Sequence, residues 1–214
     1  MNKVEKKNYY FLNPTLDWFK DWDVQIKDIN DSFQFSRIKN LIEILKLTKK
    51  LEGDYLEFGV YQGESAKFIC EYIDTNNKNS SFIGFDSFEG LSNPQSEDGK
   101  YWKFGDLSIE MQVAKNNLID FNFVHLIKGW LPDSLKNVPL KKICFVHFDL
   151  DLYKPTLDSL NEIYSLLVEG AVVVFDDYGF ETCPGVTKAV DEFLRHKEEE
   201  IINLSSGGSF FIKL

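Results

Sequence analysis

A chain of 214 residues has a length that suits one domain and that can bury a sizeable core. Its hydrophobic content of 43% and aromatic content of 15% are typical of a folded protein rather than a disordered one. The formal net charge of −10 argues against binding to nucleic acid or to an anionic membrane surface, because both interactions need a basic face.

The three cysteines, Cys70, Cys144 and Cys183, are widely spaced and form no C-x-x-C motif. An odd, scattered set of this kind is typical of reduced thiols, so we expect a cytoplasmic protein. The N-terminus lacks the apolar core of a signal peptide, and no apolar run approaches the roughly 20 residues needed to span a bilayer.

The predicted elements alternate between helices and strands along the chain. Residues 1–31 are rich in aromatic and charged side chains and are predicted to form a short, partly helical extension. Apolar residues then recur at helical spacing over 33–49. The strand candidates that follow are 54–60, 81–86, 122–128, 142–149 and 170–176, and the helix candidates between them are 64–74, 108–119, 132–137 and 155–168. Pro155 suits the first turn of the last of these helices, and Glu169-Gly170 is predicted to end it.

The end of the chain has a different pattern. After a helix candidate at 184–198, two strand-like runs flank Gly207-Gly208, which is a hairpin signal. Strands separated by helices imply crossover connections and a parallel sheet. We therefore predict an α/β fold with a doubly wound, Rossmann-like sheet of seven strands that ends in an antiparallel hairpin. Residues 1–50 would form an N-terminal helical extension and residues 51–214 the main domain.

The first chemical motif, DYLEFGVYQGES at 54–65, spans the first predicted strand and the turn after it. Gly59 and Gly63 flank this turn into the next helix, where small residues let a ligand approach the backbone closely. The spacing is G-x-x-x-G, without the G-x-G-x-x-G turn of dinucleotide-binding folds. An ordinary strand-to-helix turn is an equally good interpretation of these glycines alone.

Asp86 ends the second predicted strand, within the stretch FIGFDSFEGL. An acidic residue at this place holds a ribose diol in doubly wound folds, because a carboxylate accepts two hydroxyl hydrogen bonds at once. A helix cap is the alternative, but the position relative to Gly59 favours the ribose role.

Four carboxylates follow two neighbouring predicted strands: Asp149 and Asp151 in one case, Asp176 and Asp177 in the other. Like charges at such short range repel, and a hard divalent cation with oxygen ligands would offset that repulsion. Strand alternation lets Asp149 and Asp151 share a face while Asp176 and Asp177 point differently, so we do not expect all four to be direct ligands. Solvated strand ends or helix caps are the alternative.

In combination, these stretches resemble the macrocin O-methyltransferase (TylF/MycF-like) family, whose class I enzymes depend on S-adenosylmethionine (SAM) and on a metal. The resemblance extends from Ser36 to Phe193, about three-quarters of the chain. The matching segments are LEFGVYQGES, FIGFDSFEGL, KFGDLS, LIKGWLPDSL, HFDLDLYKPTLDSL and VVVFDDYGFETCPGVTKAVDEF. The predicted antiparallel pair at the C-terminus is also similar to the class I methyltransferase sheet.

The resemblance implies roles for the matched residues. Glu57, Gly59 and Gly63 would surround the methionine part of SAM. Asp86 would hold its ribose, and Gly129 and Trp130 would lie near its adenine. Those around Mg²⁺, or another divalent cation, would be Asp149, Asp176 and Asp177. The base that takes the proton of the acceptor would be Asp149 or Asp151.

The implied activity is methylation of a hydroxyl on a small molecule, with a sugar or a sugar-containing natural product as the acceptor class. The N-terminal aromatic residues would then form a lid, a homodimer contact or a packed extension. Two alternatives are a non-catalytic, ligand-binding relative and an NAD-dependent oxidoreductase, which would need the missing G-x-G-x-x-G turn. Leu152 is a departure from catechol-type enzymes, which have lysine three residues after the metal-binding aspartate.

Overall fold

The computed structural model describes residues 29–76 and 79–214, with side chains from residue 35 onward. The chain divides into two compact units, Met1–Ser36 and Arg37–Leu214. The aromatic residues from Tyr9 to Trp22 lie outside the described residues, and their predicted role and the predicted division at residue 50 stay predictions. Among the described helices, none is long and apolar enough to cross a membrane.

Helices and strands alternate along the described chain. The α-helices are α1 (Ile29–Leu45), α2 (Glu64–Thr75), α3 (Met111–Asn117), α4 (Tyr153–Ile163) and α5 (Pro184–Leu194). The strands are β1 (Asp54–Phe58), β2 (Phe82–Asp86), β3 (Val124–Lys128), β4 (Ile143–Phe148), β5 (Leu167–Phe175), β6 (Ile202–Asn203) and β7 (Ser209–Ile212). Short 3-10 helices occur at Lys46–Thr48, Ser96–Asp98, Asp133–Asn137 and Tyr164–Leu166.

The strands of the described chain form one seven-stranded sheet in the order β3-β2-β1-β4-β5-β7-β6. The first five are parallel to one another, and β7 is antiparallel to both β5 and β6. The predicted doubly wound sheet with its C-terminal antiparallel hairpin is therefore confirmed. The strand order reverses between β1 and β4, and ligands of such sheets bind beyond the carboxyl ends of the strands at this switch point.

Both faces of the sheet are covered by helices, because alternate residues of each central strand point to opposite sides. On one face, Tyr55 and Phe145 pack in the core cluster that includes α1 and α2. On the other, Phe58 and Phe148 pack edge to face, with ring centroids 4.8 Å apart, in the cluster that includes α4 and α5. Truncating a buried phenylalanine to alanine costs about 3–5 kcal/mol, so these strands provide a rigid base for the residues at their ends.

The predicted end of α4 at Glu169-Gly170 is wrong. The helix ends at Ile163, and Glu169 and Gly170 lie inside β5, which begins at Leu167. Gly170 has a φ of +81° near a shift in the register between β4 and β5. A left-handed glycine suits a helix end and a strand irregularity equally well, so its presence in the sequence did not distinguish the two.

Candidate active site

A cleft lies at the switch point, beyond the carboxyl ends of the parallel strands. Its empty space amounts to about 770 Å³, open solvent included. Its walls include Gly59, Asp86, Gly129 and Asp149. Each of these residues ends a strand or directly follows one, so the parallel sheet itself brings them together from distant parts of the sequence.

Gly59 makes the close approach between β1 and β4 at the floor of the cleft. Its φ is +89°, and a Cβ atom there would overlap the carbonyl oxygen of Asp149. The Asp149 N–H also donates to the carbonyl of Phe58 at 2.8 Å. Gly63 is the N-cap residue of α2, with a φ of +85°, and lies outside the lining of the cleft. One glycine of the motif therefore shapes the cleft and the other a helix start.

Asp86 points both carboxylate oxygens at backbone donors. Oδ2 accepts the N–H of Tyr61 at 2.8 Å, and Oδ1 accepts the N–H of Phe88 at 2.6 Å. Both donor residues have positive φ, +48° and +53°, which non-glycine residues adopt uncommonly. Neither donor lies in a helix, so Asp86 is not a helix cap. A carboxylate oxygen has more than one lone pair, so acceptor capacity remains toward the cleft.

A loop over 87–107 covers the same end of the cleft. It is closed by a hydrogen bond of 2.9 Å from the N–H of Gly105 to the carbonyl of Leu91. Within it, Phe104 stacks on Trp130, with ring centroids 6.4 Å apart and planes 23° from parallel. Trp130 lines the cleft, as does Leu91. The sequence analysis did not assign Leu91 or Phe104, although they lie in two stretches that it singled out, FIGFDSFEGL and KFGDLS.

Three carboxylates meet on the β4–β5 side of the cleft, where Asp149 lines the wall and Asp176 and Asp177 lie next to it, outside the lining. Asp149, Asp176 and Asp177 each offer an oxygen, and these oxygens all lie within 4.8 Å of one another. The predicted convergence of these acids is confirmed. Burial, followed by the charges of Asp149 and Asp151, raises the pKa of Asp177 well above its ordinary value. Such a set of oxygen ligands suits a hard divalent cation.

Asp151 joins the same group from a different direction. Its φ is +60°, and its N–H donates to Oδ2 of Asp177 at 3.0 Å. The Cys183 thiol donates to Oδ1 of Asp151 at 3.4 Å. Burial first, and then the charge of Asp149, raises the pKa of Asp151 to about 7. We had expected strand alternation to place Asp149 and Asp151 on one face. That argument does not apply, because β4 ends at Phe148, before both residues.

Glu57 lies beneath the cleft rather than in its wall. It is fully buried, and His147 Nδ1 is 2.8 Å from its Oε1. Burial raises the pKa of Glu57, while His147 and, to a smaller degree, Ser65 lower it. Oε2 of Glu57 makes no hydrogen bond within the described part of the chain. His147 Nε2 is 4.0 Å from Oδ1 of Asp176, so this histidine connects Glu57 to the carboxylates. A direct contact of Glu57 with SAM stays a prediction.

Arg37 is a residue of the site that the sequence analysis missed. Its Nε donates to Oδ1 of Asp176 at 3.1 Å, and a terminal guanidinium nitrogen pairs with Oδ2 of the same carboxylate. Its guanidinium also lies 5.5 Å from the centre of the Phe180 ring. The chain contains two arginines, but nothing in the sequence links Arg37 with a partner 139 residues away.

Comparison with known proteins gives a consistent result. The model of the macrocin O-methyltransferase (TylF) family matches residues 23–213. The chain is 23% identical over 207 residues to demethyldecarbamoylnovobiocin O-methyltransferase of Streptomyces niveus. The aligned region covers 90% of this chain and 78% of that protein.

Solved structures show the same fold. CalS11, a calicheamicin methyltransferase described as a TDP-rhamnose 3'-O-methyltransferase, matches with a TM-score of 0.73 at 22% identity over 84% of this chain and 79% of that one. TomG of Streptomyces achromogenes, an O-methyltransferase solved with SAM, matches with a TM-score of 0.55 at 13% identity over 82% and 79%. The chain therefore belongs to the macrocin O-methyltransferase (TylF) family and is an O-methyltransferase with the fold of class I, SAM-dependent methyltransferases.

Proposed function

We propose that the protein transfers the methyl group of SAM to a hydroxyl of a sugar or sugar-containing small molecule, with the help of a divalent cation such as Mg²⁺. The observation that carries the proposal is the arrangement of one cleft. On the β4–β5 side, Asp149 lines the cleft and belongs to a group of three carboxylates whose oxygens lie within 4.8 Å of one another. On the β2–β3 side, Asp86 and Gly129 line the cleft.

The Asp86 end of the cleft fits the nucleoside part of SAM. Asp86 is held by two backbone donors and retains acceptor capacity for the ribose hydroxyls. Gly59 leaves the floor of the cleft open to the methionine part, because no side chain projects from it. Trp130 offers an aromatic face in the wall, against which adenine would lie beside Gly129.

The other end fits a divalent cation, by the chemistry of its donors. Asp149, Asp176 and Asp177 supply hard oxygen ligands, and the raised pKa of Asp177 reflects the burial and repulsion that a cation would relieve. A bound cation would supply the positive charge that favours the ionised form of an acceptor hydroxyl.

The transfer itself is an in-line displacement. Bound SAM would supply the activated methyl group: the carbon–oxygen bond to the acceptor would form as the carbon–sulfur bond breaks, and the sulfur would leave as a neutral thioether. The hydroxyl proton passes to a carboxylate, for which Asp149 and Asp151 are the candidates because both line the cleft. The main task of the remaining residues is to hold the two reactants in line, since positioning supplies much of the rate in such a reaction.

The relatives support a sugar or a sugar-containing natural product as the acceptor class. CalS11 is described as a TDP-rhamnose 3'-O-methyltransferase and the Streptomyces niveus enzyme as a demethyldecarbamoylnovobiocin O-methyltransferase. A hydroxyl next to a second hydroxyl on a sugar would present two oxygens to the carboxylate end of the cleft. We therefore place a deoxysugar, free as its nucleotide conjugate or attached to a natural product, first among the acceptors to be tested.

Calorimetric titration of S-adenosylhomocysteine tests the cofactor part of the proposal. We expect the wild type to bind it and Asp86→Ala to bind it about 30-fold more weakly, because a carboxylate that bonds the ribose is lost. Asp133→Ala changes an exposed aspartate and serves as the control. If the wild type does not bind S-adenosylhomocysteine, the proposal is wrong.

A methylation assay with TDP-rhamnose and rhamnosyl conjugates tests the acceptor and the metal. We expect product formation with Mg²⁺ and its loss in EDTA, with recovery when Mg²⁺ is returned in excess. Activity that persists at full rate in EDTA would overturn the metal requirement while leaving the methyl transfer intact.

A further inference from the structure

Arg37 contacts both carboxylate oxygens of Asp176, a residue of the proposed cation site. Its Nε donates to Oδ1 of Asp176 at 3.1 Å, and its terminal nitrogen pairs with Oδ2. Both side chains are 20% exposed, so water screens this pair less than it would screen one on the surface. Asp176 is nevertheless one of the three residues whose oxygens lie within 4.8 Å of one another.

The charge of Arg37 also acts on the neighbouring acids. Asp176 shares a group of closely spaced oxygens with Asp149 and Asp177, so positive charge held at Asp176 also acts on these two neighbours. The guanidinium is therefore a counter-ion for the carboxylate cluster, which consists of Asp149, Asp151, Asp176 and Asp177. It occupies, at Asp176, the electrostatic role that a metal ion would have.

A guanidinium and a divalent cation are poorly compatible on the same carboxylate. The planar fork of arginine uses the lone pairs that lie in the plane of both oxygens, and two cations within a few ångströms of each other repel. A divalent cation has the advantage that it carries twice the charge and can bind oxygens of Asp149, Asp176 and Asp177 together.

We propose that Arg37 is an internal counter-ion that competes with the divalent cation for Asp176. In the metal-free protein, the guanidinium neutralises part of the carboxylate cluster. Binding of the cation displaces it from Asp176, so the cost of breaking this ion pair sets the apparent affinity of the site. The inference rests on the proposed metal dependence, but it concerns Arg37 and can be measured without an acceptor.

Calorimetric titration with Mn²⁺ into metal-free protein tests the competition. We expect Arg37→Gln to bind Mn²⁺ about tenfold more tightly than the wild type, because the competing charge is gone. Arg37→Lys keeps the charge without the fork and should lie between the two. Arg195→Gln, which changes the other arginine of the chain, is the matched control and should bind as the wild type does.

Thermal melting provides a second readout, which distinguishes a counter-ion from a purely structural residue by the effect of Mn²⁺ on the melting temperature. Metal-free Arg37→Gln should melt below the wild type, because buried carboxylates lose their counter-ion, and saturating Mn²⁺ should remove most of this difference. Equal or weaker Mn²⁺ binding by Arg37→Gln, or a melting deficit that persists at saturating Mn²⁺, would overturn the inference.

The failure of this inference is distinguishable from that of the proposed function. If the wild type binds Mn²⁺ and Arg37→Gln binds it no better, only the competition is refuted. If neither protein binds Mn²⁺ although both bind S-adenosylhomocysteine, the metal site and the competition are both refuted and the cofactor assignment stands.

Discussion

The two ends of the cleft, one at Asp86 and the other at Asp149, differ in how their negative charge is balanced. At the first, Asp86 is a single carboxylate whose two oxygens each accept a backbone N–H. At the second, the carboxylate cluster brings four acids together, and burial and mutual repulsion raise the pKa of Asp151 and of Asp177. At the first end, backbone donors contact both oxygens of the single carboxylate, whereas at the second end four carboxylates lie beside one arginine, Arg37. In the proposed function, the first end therefore receives the neutral ribose diol and the second end a cation.

The largest effect should come from removing a charge at the second end. Asp149→Asn should lower methyl transfer by about 100-fold or more, because electrostatic groups at a reacting oxygen contribute effects of this size. Binding of S-adenosylhomocysteine should change little, since the first end is intact. A steady-state assay paired with calorimetry makes the measurement, and Asp158→Asn, on the exposed side of α4, is the control. Loss of cofactor binding in Asp149→Asn would show that the two ends are not separate.

Gly59, between the two ends of the cleft, can be compared with Gly179, whose φ is nearly equal. Gly59 has a φ of +89° and no room for a Cβ, whereas Gly179 has a φ of +84° and nothing within 4 Å of the added atom. Gly179→Ala should cost only the backbone strain, about 1–2 kcal/mol. Gly59→Ala should cost more in urea unfolding and should weaken S-adenosylhomocysteine binding, since Asp149 must move. Equal unfolding costs would refute the importance of the close approach.

The stability of the metal-free protein should depend on pH in the direction set by the second end. The pKa of Asp151 is raised in the folded state to about 7, so the native protein binds more protons than the unfolded chain between about pH 4 and pH 7. The contribution of Asp151 to the free energy of unfolding is therefore fully present below the pKa that this residue has in the unfolded chain. It is lost as the pH rises toward 7.

Urea unfolding in EDTA at pH 5 and pH 7 should show this loss, at about 1–2 kcal/mol. Mg²⁺ should oppose it, because metal binding favours deprotonated carboxylates. A midpoint that rises with pH in EDTA would contradict the assignment of the second end as the charge-crowded one.

The smallest effect should come from the loop over the first end, where two exposed aromatic residues can be compared. Phe104, 63% exposed, stacks on Trp130 in the wall of the cleft. Tyr101, 62% exposed, packs on Trp102 with ring centroids 4.8 Å apart. Phe104→Ala should weaken S-adenosylhomocysteine binding by about threefold through loss of support for Trp130, while Tyr101→Ala should leave it unchanged. Equal effects would mean that the loop acts as a whole.

Much of the fold could be predicted from the sequence, because each apolar strand is bounded by a turn signal and followed by a helical pattern. The positions of Asp86 and Asp149 beside the cleft could be predicted for the same reason. Each stands where an apolar strand stops, and parallel strands bring such positions to one edge. The misassigned end of α4 has the opposite cause. Gly170 requires a left-handed backbone, but that requirement is common to helix ends and strand irregularities, and only the pairing of β5 with β4 decides between them.

The sequence alone determined that the chain builds a doubly wound sheet and that its acids gather at the carboxyl edge, since both follow from local periodicity and from the order of elements. Only the tertiary structure decided which groups meet there in detail. Arg37 reaches Asp176 from a helix 139 residues earlier in the chain, and Asp151 turns away from β4 to meet Asp177 and Cys183. Such contacts depend on packing between elements and on a left-handed turn, and neither of these leaves a periodic pattern in the chain.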